Sequence, residues 1–357
     1  MTRLAALLTS LLILTPPAQM AAQTPAKQVE GFSLASEVAR ADLPAMAALK
    51  ARGARVVGLI NVERLPQDAW MAELEIETPR KQRARLPIKL LREAKTRAWR
   101  IVWTPAPEYV EALLAITAVL PRDELGAAAW SQGGRMPALP IIATRQRLIT
   151  PLGAMTWDTG ELPNNMPSSV KDLAPPALLV THIQRWFGGV LEGEPGAASL
   201  DLLAEPGLDW RSVQKILLAA GSQGAFVLHV ICAGEGSALV AAPLMAPVFG
   251  NVPEPDRPRP LTVTLLEPVG AQMKARVSYQ GKVITDQPTF LIDSPQALAA
   301  QLTPLIAAAI PQPGPRHLFF GAPGDMALQE VLRWLAPLPT AAQVAPSKIF
   351  VGYVRKD

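Results

Sequence analysis

Leu261-Thr-Val-Thr-Leu265, followed by Ala275-Arg-Val-Ser-Tyr-Gln-Gly-Lys-Val-Ile284, decides the fold of the C-terminal part of this chain. Both runs alternate apolar with polar residues, the pattern of strands that bury one face. Ser294-Pro295 then opens a helix carrying Leu298, Leu302, Leu305 and Ile306. Proline is suited to the first helical position, because the N–H it lacks has no intrahelical acceptor there. His317-Leu-Phe-Phe320 is a further strand that ends in Ala322-Pro-Gly-Asp325. Leu328, Val331, Leu332 and Leu335 mark a second helix, and Lys348-Ile-Phe-Val-Gly-Tyr-Val354 closes the unit. This order predicts a two-layer α/β domain over 261–357.

The preceding segment repeats it. Ser199-Leu-Asp-Leu-Leu-Ala-Glu-Pro-Gly207 lies on Arg316-His-Leu-Phe-Phe-Gly-Ala-Pro-Gly324, an offset of 117 residues (323 − 206). Asp209-Trp210 leads a helix with Val213, Ile216 and Leu217, matched to Leu328, Val331 and Leu332 after a loop two residues shorter. Ala225-Phe-Val-Leu-His-Val-Ile231 corresponds to the closing strand. Leu139-Pro-Ile-Ile-Ala-Thr144 and Arg147–Thr150 begin this copy, and a helix is expected from about Pro175 to Leu191. A period near a hundred residues indicates duplicated domains rather than a solenoid. Pro243, Pro247, Pro253, Pro255, Pro258 and Pro260 crowd the junction, which reads as a stiff spacer over 243–260 setting the separation of the copies.

The element order, with Asp209 and Asp325 in the turn after the third strand, resembles the periplasmic domain of the ExbD/TolR family. The resemblance covers Leu261–Val354 and extends to Leu139–Ala233. It implies small domains that dimerise and grip envelope partners or cell-wall material, here as an internal pseudo-dimer. Members of that family carry a membrane helix with an aspartate used in proton-driven work. Leu4–Leu14 contains no acidic residue, so that activity is not carried over.

Upstream, Gly31 to about Leu120 reads as a separate domain, bounded at 28–125. Leu34–Lys50 is expected to be helical, with Gly53 as its stop. Arg55–Glu63, Ala69–Glu77, Arg83–Arg92 and Trp99–Trp103 are expected strands, and residues 126–138 read as a linker. A helix followed by a long antiparallel meander ending in Trp99-Arg-Ile-Val-Trp-Thr-Pro105 is similar to the cone-shaped nuclear-transport-factor-like fold. That fold sometimes holds a catalytic Asp/His pair. This segment has no histidine, and Asp42 and Asp68 fall at element edges, so the resemblance implies a scaffold or binding module. The whole chain is thus read as α+β: a helix with a curved, cone-like antiparallel sheet, then two two-layer α/β domains over 139–242 and 261–357.

The strongest charge feature is the basic run Arg80, Lys81, Arg83, Arg85, Lys89, Arg92, Lys95, Arg97 and Arg100, opposed locally only by Glu93. Pro87 within it argues for an edge or bulged strand. Arg80, Lys81, Arg83, Arg85 and Lys89 are the candidate binding residues, as an anion-attracting surface for acidic glycan or lipid; a solvated sheet face is the plainer alternative. No aromatic stripe accompanies them, which argues against single-stranded nucleic acid.

The chain is 357 residues long, 49% hydrophobic, 18% charged and +4 in net charge, within the range of a folded protein of two or three domains. Residues 1–26 have the form of an export signal: Arg3, the apolar run Leu4–Leu14, then Ala18, Ala21 and Ala22. A cleaved signal and an exported chain are expected, with an uncleaved anchor as the rival. Cys232 is the single cysteine, on one strand face with Phe226, Leu228 and Val230, and reads as a buried small hydrophobe. His182, His229 and His317 lie in separate elements without metal-ligand spacing, and no nucleophile elbow, P-loop or dinucleotide fingerprint is present. No catalytic residue, metal or cofactor is therefore assigned. The expectation is an exported, non-catalytic envelope binding or scaffold protein, an accessory of a biopolymer-transport or envelope-energising system, partnered by envelope proteins or peptidoglycan and at most peripheral to the membrane. The alternatives are an enzyme with a pocket in the cone-like domain and a basic binder of acidic glycan or lipid.

Overall fold

The computed structural model of the chain describes residues 44–64, 69–81, 83–92, 95, 99–122, 140–151, 153–157, 199–222, 227–234, 239–245, 260–310, 317–344 and 349–354. The export stretch 1–26, the linker 126–138, the helix expected over 175–191 with His182, and residues 246–259 of the Pro-rich junction lie outside the described residues. The described fold is mixed α+β. Among the described residues no helix is long and apolar enough to cross a membrane.

The first unit begins with α1 (Pro44–Ala51), which buries Ala45, Met46, Ala48 and Leu49. It stops at Gly53, whose φ of +69° is the left-handed conformation glycine adopts without a Cβ penalty. The antiparallel sheet β1 (Arg55–Arg64), β2 (Ala69–Glu77), β3 (Arg83–Arg92), β4 (Trp99–Trp103) follows in sequence order. Alternation sends Ala72, Leu74 and Ile76 of β2, and Leu86, Ile88 and Leu90 of β3, into one buried face. Of the two readings Pro87 allows, β3 is not an edge, since it is paired on both sides, and its ladder with β4 is irregular between Lys89 and Leu90. The proline is accommodated because β4 meets β3 only from Lys89 to Arg92. Its missing N–H lies beyond the end of that ladder. α2 (Pro107–Ile116) was not expected; Pro107 opens it, and Tyr109, Val110, Leu113 and Ile116 are its buried stripe.

A second sheet holds the remaining strands. They are β5 (Ile141–Ala143), β6 (Arg147–Thr150), β7 (Gly153–Thr156), β8 (Ser199–Ala204), β9 (Val227–Ala233), β10 (Leu239–Met245), β11 (Pro260–Val269), β12 (Gln272–Tyr279), β13 (Lys282–Val283), β14 (Phe290–Ile292), β15 (His317–Pro323) and β16 (Ile349–Val354). Across the sheet the order is β13-β12-β11-β15-β16-β10-β9-β8-β5-β6-β7, with β14 also on β12. In the first module β5 pairs antiparallel with β6 and parallel with β8, which is parallel to β9. In the second, β11 pairs antiparallel with β12 and parallel with β15, which is parallel to β16. α3 (Trp210–Ser222) connects β8 to β9, and α5 (Leu328–Leu335) with α6 (Leu338–Ala342) connects β15 to β16. α4 (Pro295–Ala309) is capped by the Ser294 side chain, which accepts a 3.1 Å bond from the Ala297 N–H, a contact of about 1 kcal/mol.

The modules are not held apart by the proline-rich junction. Pro243 to Met245, read as the start of the spacer, belong to β10. β10 pairs antiparallel with β9 and parallel with β16, at Met245 and Phe350, so the two halves share one sheet. The loops after β8 and β15 also bond reciprocally. Trp210 N–H donates to Met326 O (2.8 Å) and Leu328 N–H to Leu208 O (2.7 Å); Arg211 N–H donates to Gly324 O and Gln329 N–H to Pro206 O, both at 2.9 Å. This is the pattern of an isologous contact. It sets Trp210 against Leu328, an offset of 118 residues (328 − 210). The helix-facing strand residues share this offset, Leu200, Leu202 and Ala204 matching Leu318, Phe320 and Ala322, so the two loops are equal in length and the second is not two residues shorter. Alignment on Pro-Gly slips the repeat by one residue, which would set helix-facing strand positions against the opposite face.

Arg122, at the end of the first unit, is also fixed. Its N–H donates to Gln329 Oε1 (2.8 Å), and Gln329 Nε2 donates back to its carbonyl (3.2 Å). Beside it, Ala233 N–H donates to Pro121 O at 2.8 Å.

The sheet separates two cores. On one face, α3, α4, α5 and α6 pack over both modules, burying Leu202, Val230, Val263, Phe320 and Val351. On the other face, among the described residues, the first unit covers the first module, where Tyr109, Val110 and Leu113 share a core with Ile142, Ile149, Leu203 and Ile231. Each such aliphatic side chain contributes about 1.5–3 kcal/mol. The attachment of the first unit is thus hydrophobic.

Candidate functional site

The candidate basic residues sit on or beside β3, but their charge is largely committed. β2 alternates Glu73, Glu75 and Glu77 on the same face, and antiparallel register places them opposite Pro87, Arg85 and Arg83. Arg83 Nη1 lies 2.9 Å from Glu75 Oε1, and its Nη2 lies 3.4 Å from Glu77 Oε2. Arg85 Nη1 lies 3.1 Å from Glu73 Oε2, and Lys81 Nζ lies 3.4 Å from Glu77 Oε1. Arg55 from β1 reaches Glu77 at 2.6 Å. The Arg55 hydrogen bond is the largest cause holding the Glu77 carboxyl below the ordinary carboxylate range; Lys81 adds to it and desolvation opposes it. Arg80 donates to the Ala118 carbonyl at 2.8 Å. Lys89 is half-buried on β3 opposite Met71 and Trp103. What reads along the chain as nearly unopposed cation is a cross-strand ladder. The signal was present in the period-2 acids of β2, but only strand pairing brings them to the arginines.

Sequence reasoning missed a second cluster. Asp201 on β8 and His229 on β9 are register partners, with Nδ1 3.3 Å from Oδ1. They are 1% and 6% exposed, deep beneath the first unit. Tyr109 of α2, wholly buried, donates its hydroxyl to Pro140 O at 2.8 Å. Burial pushes the Tyr109 hydroxyl well above its ordinary value, and the charges of Asp201 and then Glu73 push the same way. On strand alternation alone Asp201 faces away from the helices, the direction solvent would occupy. The first unit packs there instead. His317 is tilted against Phe350, ring centroids 5.6 Å apart. Cys232 is buried, and among the described residues no group of three or more His, Cys, Asp or Glu could hold a metal ion.

The outer end of the second module differs in character. Val269, Val283 and Leu291 are 45%, 43% and 46% exposed, half of the large hydrophobic residues that stand out from the described surface. Among the described residues, β12 carries two short strands on its outer edge, β13 opposite Ser278 and Tyr279 and β14 opposite Met273 to Ala275. Short edge strands limit open-ended pairing with another sheet. The side chains, rather than backbone groups, are what this end offers.

No protein-family model, curated protein or solved structure matches the chain.

Proposed function

We propose that this chain is an exported, non-catalytic binding or scaffold protein of the cell envelope, built from a cone-like domain and two ExbD/TolR-like domains that form an internal pseudo-dimer. The observation that carries the reading is the exposure of Val269, Val283 and Leu291 on the outer strands β11, β13 and β14 of the second module. Apolar side chains left in water along the edge of a sheet favour association with a partner. The reciprocal bonds between the loops at Trp210 and Leu328 support the pseudo-dimer part, since one chain then supplies both halves of an isologous contact. The run Leu4–Leu14 supports export.

Fractionation of cells expressing the C-terminally tagged chain, followed by crosslinking in the envelope fraction, tests the proposal. The expected result is an exported protein crosslinked to envelope partners through the second module. Recovery in the cytosol would overturn it.

A further inference from the structure

The two modules present the same sheet face to different surroundings. Register defines a row across each: Ile149, Ile142, Leu203 and Ile231 in the first, and Arg276, Thr264, Gly321 and Gly352 in the second. The first row is buried under the N-terminal unit. At the edge of the second row, Arg276 is exposed and Thr264 half-exposed. The Arg276 guanidinium and the hydroxyls of Thr262, Thr264 and Ser278 form no hydrogen bond or ion pair among the described residues. Val283, opposite Ser278, and Leu291, opposite Lys274, flank them on that face. The surface that carries the N-terminal unit therefore continues onto the second module as Arg276, which makes no ion pair among the described residues, set among hydroxyls, the Lys274–Glu267 ion pair and two exposed aliphatic side chains.

We propose that this face docks a protein segment presenting a carboxylate between apolar side chains, with the acid on Arg276 and the apolar groups on Val283 and Leu291. Charge complementarity selects the acid, since an arginine bonds a carboxylate through two parallel N–H groups. The flanking aliphatic pair selects a protein over a sugar polymer, because neither Val283 nor Leu291 offers a hydrogen bond. Arginine is itself enriched at interface cores and hot spots. The proposal rests on the scaffold reading and specifies its partner.

The test pans a displayed random-peptide library on the full-length protein and measures the affinity of the selected peptide for variants. The expected consensus places Glu or Asp beside Leu, Ile or Val. Arg276→Glu should weaken binding at least tenfold, Val283→Ser with Leu291→Ser severalfold, and Glu→Lys in the peptide should restore binding to Arg276→Glu. The thermal midpoint of Arg276→Glu should match wild type, because its side chain forms no hydrogen bond or ion pair among the described residues. A consensus without an acid, affinity indifferent to Arg276, no selected peptide, or Arg276-dependent binding of polygalacturonate in place of peptide would each overturn the proposal. Cytosolic recovery would remove the envelope role yet leave the peptide result standing, so the two failures are distinguishable.

Discussion

Asp201 and His229 oppose one another across β8 and β9 at 3.3 Å, in the register positions that the second module fills with Phe319 and Phe350. One module thus places a polar pair where the other places two aromatic rings. The difference follows what lies above. The polar pair is sealed beneath the first unit, near Tyr109, whereas Phe319 folds its ring across Gly352. A Cβ at Gly352 would stand 2.4 Å from Phe319 Cζ, so glycine there is what lets the ring lie on the sheet.

Removing one member of the buried pair should be costly. Asp201→Ala leaves His229, 6% exposed, without its carboxylate. The expected loss is about 1–3 kcal/mol in urea unfolding, the range for leaving a buried polar group without its partner. Asp201→Leu combined with His229→Phe should lose less than the single change, because neither member of the pair is then left buried without the other.

Glu77 predicts an acid limb. Its pKa is depressed in the folded state, so the unfolded chain takes up a proton first as pH falls. The stabilisation is whole above the ordinary carboxylate value of about 4.3 and is lost as pH drops through the lower folded value. Glu77→Gln should flatten stability against pH in that window, measured as the urea midpoint between neutral and strongly acidic buffer.

Tyr109 predicts an alkaline limb. Its folded pKa lies well above that of the unfolded chain, so stability is intact below about pH 10 and falls as pH rises beyond it. Tyr109→Phe should abolish that fall. At neutral pH it should cost roughly 1–3 kcal/mol, because the Pro140 carbonyl loses its buried donor.

The contact between modules can be weakened at one bond. Trp210, wholly buried, donates Nε1 to Gly352 O at 2.9 Å, tying the first module's helix to the second module's last strand. Trp210→Phe should cost about 1–3 kcal/mol and leave that carbonyl unpaired. Faster hydrogen exchange confined to β16 and the 206–211 loop would check it; a uniform change across the sheet would contradict this local role.

The basic ladder predicts a stability effect rather than a binding one. Arg85→Ala leaves Glu73, whose side chain is 13% exposed, without its cation. A loss of up to about 1 kcal/mol is expected for this partly exposed pair. Retention of Arg83→Ala and Arg85→Ala in the envelope should equal that of wild type in the fractionation assay.

Local sequence determined the elements whose periodicity is uninterrupted. β2, β3 and β4 fall where alternation places them, and Ser294-Pro295 opens α4 because cap and proline act within one turn. α2 was equally legible in Pro107, Tyr109, Val110, Leu113 and Ile116, yet its proline sat close to a strand ending in Thr104-Pro105 and masked the helix start. Only the tertiary structure decided which faces meet. Whether Asp201 faces water or a core, whether Arg83 and Arg85 are free or paired, and whether Pro243 ends one module or joins two depend on chain segments far away in sequence. A residue's alternation fixes the side to which it points; what lies on that side is set by long-range packing.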